Sequence, residues 1–282
     1  MIYPLSSRKE SYIRKLGKKK FREETNEFLL EGHSLVREAI ERPRENTLIL
    51  VADSALERNA EIIDIADIKG IPVFQCSNRK FAELSDTTNP AGILSVIKRN
   101  PEQIKAWFMR RMEETKALIL WMEGIQDPGN FGSIIRSAEA SGLTAIVAGA
   151  GTVEITNPKT VRGSMGAIFH IPVLTAKELS MGFGSFRQKD FTVAATVISP
   201  DAEDMWDYQP PMKLLVLLGN EAHGLSFSSI EQADTLLTIP IEGKSESFGV
   251  AATGAIMGAV LGDKIFRQSK KKKKASTPPA GE

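Results

Sequence analysis

Four continuous apolar runs in the second half of the chain, at residues 118–122, 145–148, 191–197 and 214–218, constrain the fold more than any other feature. Strands with one wet face alternate apolar and polar residues. These do not alternate, so both faces are covered, as in a parallel sheet with helices on either side. Helical spacing over 131–141 and 158–166 supplies such helices. Each run stops at a polar, glycine-bearing loop, where open parallel sheets hold their ligands. No internal repeat is present.

The first hundred residues have a different texture. Residues 8–42 read as one or two helices, the second opening after Glu31-Gly32-His33-Ser34 with Leu35, Val36, Ala39 and Ile40 at helical spacing. Strands are expected at 48–52, 71–75 and 93–98, with helical segments at 60–69 and 81–84. The expected architecture is therefore α/β in two parts. Residues 1–100 form a smaller α/β domain, 101–116 a charged linker helix, 117–267 the domain with the parallel sheet, and 268–282 a basic disordered tail.

Charge separates along the chain even though Lys+Arg and Asp+Glu nearly cancel at 36 and 35. Residues 1–22 carry Arg8, Lys9, Arg14, Lys15, Lys18, Lys19, Lys20 and Arg22 against Glu10 alone, and Lys270 to Lys274 crowd the other end. Basic ends on an acidic body point to an anionic polymer, most simply nucleic acid, with solubilising ends as the alternative. The lone Cys76 cannot form an intrachain disulfide and no charged-then-apolar leader opens the sequence, so the expected compartment is the cytoplasm. The most apolar stretch, 250–261, is well short of the ~20 residues of a membrane span and reads as a buried helix. His33, His170 and His223 lie far apart without a second cysteine, which argues against a metal site.

Three loops carry the candidate chemistry. In the first, residues 123–136, Asp127-Pro128-Gly129-Asn130 makes a tight turn after a strand, Asn130 is the expected N-cap, and Arg136 follows between one and two turns into the helix. Gly132, Ser133 and Ala140 leave space around that arginine, which is otherwise an ordinary salt-bridged helix residue. In the second, 215–225, a buried strand enters Gly219-Asn220-Glu221-Ala222-His223-Gly224. Its two glycines allow positive φ or a close approach, or simply turn the chain. The third, 239–252, leads into a helix so rich in Ala and Gly that it packs its backbone closely against something, in a core if not at a ligand. Gly149-Ala150-Gly151 lacks the third glycine of a dinucleotide loop and no P-loop occurs, so NAD and ATP sites are not indicated.

In order and spacing these loops resemble the three signature motifs of the SpoU/TrmH branch of the SPOUT superfamily, the S-adenosyl-L-methionine-dependent RNA ribose 2'-O-methyltransferases. The resemblance covers 117–267. It is carried by Asp127-Pro128-Gly129-Asn130-Phe131-Gly132-Ser133-Ile134-Ile135-Arg136-Ser137-Ala138, by Leu218-Gly219-Asn220-Glu221-Ala222-His223-Gly224-Leu225, and by Arg162-Gly163-Ser164-Met165-Gly166-Ala167, which is similar to the family's Arg-x-Ser-x-Gly-Ala. Residues 8–98 resemble the L30e-like substrate-binding domain of many members, through Phe28-Leu29-Leu30-Glu31-Gly32 and Asn89-Pro90-Ala91-Gly92-Ile93. The third motif departs from the pattern. The family's Ser-Leu-Asn-Val-Ser is here Ser247-Phe248-Gly249-Val250-Ala251.

The resemblance implies a trefoil-knotted α/β domain, a homodimer, and S-adenosyl-L-methionine held in the knot by Thr196, Leu218, Gly219, Ile239, Ile241 and Phe248. It implies a catalytic group of Arg136, Asn130, Glu221 and Ser247, with Arg136 at the reacting hydroxyl as base or electrostatic positioner. The expected RNA contacts are Arg14, Lys15, Lys18, Lys19, Lys20 and Arg22 of the basic stretch, with Arg162. Ribosomal RNA is favoured over transfer RNA as substrate. The alternative is an RNA-binding protein on the same scaffold that has lost catalysis, motivated by Gly249 and Ala251.

Overall fold

The computed structural model describes residues 1–41 and 45–267. The basic tail expected at 268–282 lies outside them. The chain divides into two compact units, one of residues 1–100 with 156–169 and one of 101–155 with 170 onward.

In the first unit the order is β1 (Ile2–Pro4), α1 (Ser7–Leu16), α2 (Lys19–Thr25), β2 (Glu27–Glu31), α3 (His33–Glu41), β3 (Glu45–Ala52), α4 (Ala60–Ile68), β4 (Val73–Cys76), α5 (Asn78–Leu84) and β5 (Ile93–Lys98). The five strands form one mixed sheet in the order β1-β4-β3-β5-β2. β3 pairs parallel with β4 and antiparallel with β5. Residues 8–42, expected as one or two helices, are interrupted by β2. Asn26, at φ 55, ends α2 in the left-handed conformation, and the next five residues alternate in burial against β5.

The second unit begins with α6 (Pro101–Met112), from the segment read as a linker helix; its Ile104, Phe108 and Met112 are buried in this unit's own core. β6 (Ala117–Met122), α7 (Pro128–Ala140) and β7 (Ala145–Ala148) follow. The chain then supplies α8 (Pro158–Gly163) to the first unit, where Val161 and Phe169 join Phe28, Leu30 and Ile97 in a small core. It continues through β8 (Val173–Thr175), α9 (Ala176–Leu179), α10 (Phe183–Arg187), β9 (Thr192–Thr196), β10 (Glu203–Asp204), β11 (Lys213–Leu218), α11 (Phe227–Glu231), β12 (Thr235–Thr238) and α12 (Val250–Gly262).

The seven strands of this unit pair in parallel throughout, in the order β10-β12-β9-β11-β6-β7-β8. Every residue of β6 and β7 is buried, as continuous apolar runs require. From β6 the chain moves outward through β7 and β8, then returns to build the sheet on the other side of β6. The strand order therefore reverses between β6 and β11, and the loops leaving these two strands meet at the carboxyl edge, the position where such sheets hold ligands. α12 is half-buried to buried over most of its length and packs against α7.

Candidate functional site

A cavity of about 410 Å³ lies at the carboxyl ends of β9, β11 and β12, within the range of small-molecule sites. All six residues expected to hold the cofactor line it: Thr196, Leu218, Gly219, Ile239, Ile241 and Phe248. Glu221 and Ser247 line it too. Leu218 is fully buried and Ile239 nearly so, whereas Phe248 is 46% exposed at the rim. The Thr196 hydroxyl donates to the Leu217 carbonyl at 2.8 Å, fixing the end of β9 against β11.

Gly219 explains why the second loop needs glycine. An ideal Cβ built there would stand 2.2 Å from the Gly224 carbonyl carbon and 2.2 Å from the Leu225 nitrogen, so no other residue permits the loop to close. Closure is sealed by a two-way bridge: the Asn220 N–H donates to the Gly224 carbonyl and the Gly224 N–H to the Asn220 carbonyl, each at 2.9 Å. Gly224 adopts φ +69, the left-handed region that suits glycine.

This loop is fastened to the loop that leaves β6. The Asn220 side-chain amide donates to the Gly124 carbonyl at 2.6 Å, while its oxygen accepts from the Ala222 and His223 N–H groups at 2.8 and 3.0 Å. The Glu123 carboxylate accepts from the Ser226 N–H at 3.0 Å and from the Ser229 hydroxyl. Burial works to raise the Glu123 pKa, but the hydrogen bonds from Ser229 and Ser226 outweigh it and hold the carboxyl below its ordinary value. Glu123 and Asn220 were not among the expected site residues. The signal for Glu123 was available in a charged residue directly following six buried ones.

Asn130 is not the cap of α7. Asp127 takes that role, accepting from the Asn130 N–H at 2.8 Å, with Pro128 in the first turn. Either residue satisfies the N-cap preference, and the proline decides between them because it belongs just inside the helix. The Asn130 side chain is thereby released to donate to Glu221 at 3.1 Å, which joins α7 to the cavity loop. Arg136 is exposed on α7 together with Ser133 and Ala140, while Gly132 is buried. Its guanidinium has no hydrogen bond or ion pair among the described residues, so the salt-bridged alternative does not hold. Asn130 and Arg136 do not line the cavity itself. The Ser247 hydroxyl accepts from the Gly249 N–H at 3.3 Å, and Gly249 caps α12 at φ +76.

The expected RNA contacts lie in the first unit. Lys15 and Lys18 are exposed, and Lys19 and Lys20 make only long exposed pairs with Glu23 and Glu24, at 3.8 and 3.9 Å. Arg14 is partly occupied by Glu10 at 3.2 Å. Arg162 donates through both terminal nitrogens to Asp86, each at 3.1 Å. Arg22 does not belong in this group. It is 4% exposed and donates to the Leu16 carbonyl at 2.8 Å, tying α1 to α2. Burial lowers its pKa from the ordinary arginine value, against the opposing effect of Asp86 and Glu23. Among the described residues no helix is long and apolar enough to cross a membrane, and no group of three metal-ligating side chains occurs.

The SpoU rRNA methylase family model matches residues 117–259, and the model of an MRM3-like substrate binding domain matches 11–95. A 23S rRNA (guanosine(2553)-2'-O)-methyltransferase of Bacillus subtilis is 32% identical over 86% of this chain and 92% of its own length. An AdoMet-bound rRNA methyltransferase from Sinorhizobium meliloti has the same fold, with a TM-score of 0.79 at 22% identity over 94% of this chain and 98% of that one. The crystal structure of an RNA 2'-O ribose methyltransferase superposes with a TM-score of 0.73 at 25% identity, over 94% and 99% of the two chains.

Proposed function

The chain belongs to the SpoU rRNA methylase family, and on that premise we propose that it methylates a ribose 2'-hydroxyl of RNA, ribosomal RNA in preference to transfer RNA, with S-adenosyl-L-methionine as donor. The observation that carries this reading is the cavity of about 410 Å³ at the carboxyl ends of β9, β11 and β12, lined by all six expected cofactor residues and joined through Glu221 and Asn130 to the helix bearing Arg136. The cavity suits the cofactor. Leu218, Ile239 and Ile241 offer apolar surface to a heterocycle, and the Ile241 N–H, uncommitted among the described residues, is a donor beside it.

When bound, S-adenosyl-L-methionine supplies a methyl group already activated on a sulfonium. The protein's share is position and management of the hydroxyl proton. Arg136 faces solvent without a carboxylate partner, which suits it to take an RNA phosphate and hold the ribose oxygen in line. A guanidinium rarely surrenders a proton, and Arg136 is assigned as electrostatic positioner in preference to base. Asn130 and Glu221 hold α7 and the cavity loop in register, and Ser247 fixes the turn before α12.

The same reading assigns residues 1–100 to substrate binding, with Lys15, Lys18, Lys19 and Lys20 as phosphate contacts that carry no sequence information, joined by Arg14 and Arg162 once their pairs with Glu10 and Asp86 open. It assigns 117–267 to catalysis, in the trefoil-knotted form that the family resemblance implies. A cytoplasmic homodimer is the working form. The test is transfer of labelled methyl to ribosomal RNA from cells lacking the gene. Wild type is expected to incorporate label, and Arg136→Ala to bind cofactor normally while losing at least about a hundredfold in transfer. No incorporation by a wild-type protein that binds RNA overturns the reading in favour of an RNA binder that has lost catalysis.

A further inference from the structure

The cavity wall contributed by α12 differs chemically from the family pattern. Gly249 and Ala251 stand where the pattern has Asn and Ser, so two polar side chains are missing at the start of this helix. Gly249 offers no side chain to the helix end, and an ideal Cβ there would find nothing within 4 Å. Of α12, Val250, Thr253 and Met257 line the cavity, so Thr253 carries the hydroxyl that this helix brings to it.

One turn further on stands Thr253, half-buried and lining the cavity. Its N–H donates to the Gly249 carbonyl at 2.9 Å, but its hydroxyl has no hydrogen-bond partner among the described residues. A helical threonine commonly bonds back to the preceding turn, as Thr25 does to the Phe21 carbonyl at 2.8 Å. Thr253 does not. Of the three other hydroxyls in the cavity lining, Thr196 donates to the Leu217 carbonyl and Ser247 accepts from the Gly249 N–H, while that of Thr238, at the end of β12 and not on α12, has no hydrogen-bond partner among the described residues. This turn of α12 is also held firmly. A Cβ on the neighbouring Gly254 would lie 3.2 Å from Leu218 Cδ1 and 3.3 Å from Ile134 Cγ1, so the helix is pressed onto the cavity floor and onto α7.

We propose that the Thr253 hydroxyl hydrogen-bonds a polar atom of S-adenosyl-L-methionine, supplying from α12 a polar contact that Gly249 at the helix end does not offer. The proposal rests on the assignment of this cavity to the cofactor. Calorimetric titration of the full-length protein with S-adenosyl-L-methionine tests it. Thr253→Val, which keeps the shape and removes the hydroxyl, is expected to bind about three- to tenfold more weakly, the span of one neutral hydrogen bond, with an unchanged melting temperature. Thr253→Ser is expected to stay within about twofold of wild type. Wild-type affinity in Thr253→Val overturns the proposal, and so does a serine variant as weak as valine, since the lost methyl group rather than the hydroxyl would then be responsible. Failure of the wild type to bind defeats the cofactor assignment itself, an outcome distinct from either.

Discussion

Gly219→Ala is the smallest change that addresses the second loop, and its consequence can be worked from the coordinates. The added methyl carbon would lie 2.2 Å from two main-chain atoms and 2.6 Å from the Gly224 oxygen, a contact that side-chain adjustment cannot relieve. Overpacking of this kind costs about 1–3 kcal/mol when the surroundings cannot yield. The available relief is to open the loop and give up the two hydrogen bonds between Asn220 and Gly224, at about 0.5–1.5 kcal/mol each, which sets a similar ceiling of about 1–3 kcal/mol. If the variant reaches the binding-competent loop only at that cost, the apparent dissociation constant for S-adenosyl-L-methionine rises by the same free energy, about fivefold at the low end and two orders of magnitude at the high end. Calorimetry supplies the affinity, and a thermal scan should show a fall of several degrees. Gly243→Ala is the control, because a Cβ there meets nothing within 4 Å and its φ is not in the left-handed region; affinity within twofold of wild type is expected. A Gly219→Ala protein that binds cofactor as wild type with unchanged melting would refute the argument from loop closure.

Replacing Lys18, Lys19 and Lys20 by Gln is expected to reduce the log–log salt slope of RNA binding by about 2–3 units, since the long pairs of Lys19 with Glu23 and of Lys20 with Glu24 cost little to break. Arg22→Ala should instead lower the melting temperature and leave the slope as it is, and an unchanged slope in the triple variant would mean that the basic stretch only aids solubility. Gly249→Asn restores the family's residue at φ +76 and ψ 145, a conformation costing a side chain about 1–3 kcal/mol. Turnover in the methyl-transfer assay is expected to change by less than about tenfold, and a large gain would show that the missing amide limits this protein's activity.

What the sequence made legible divides along a physical line. Residues whose role follows from main-chain geometry were found. The Gly219 turn, the buried strands β6, β7 and β11 and the close-packed α12 all follow from apolar continuity and glycine placement, which act locally. Short edge elements were not. β1, β8 and β10 have two or three residues each, too few for periodicity to register, and exist because a neighbouring strand offers hydrogen bonds.

The remaining differences concern polar side chains, whose partners lie far along the chain. Arg22 looks like its basic neighbours in sequence, yet it lies on the inner side of α2, where the Leu16 carbonyl receives it. A charge run records composition and not orientation, so one arginine of the set can brace two helices while the lysines beside it face solvent. Asn130 shows the converse. Because Asp127 precedes Pro128, the cap is satisfied three residues earlier and the amide is left to reach Glu221, 91 residues away. The motif thus separates two tasks that a single residue would confuse. Asp127 starts the helix, Asn130 fastens it to the cavity loop through Glu221, and Arg136 is carried to solvent without a partner among the described residues. That vacancy is what an incoming phosphate requires, because an arginine already paired in the folded protein would have to break its ion pair before it could grip RNA.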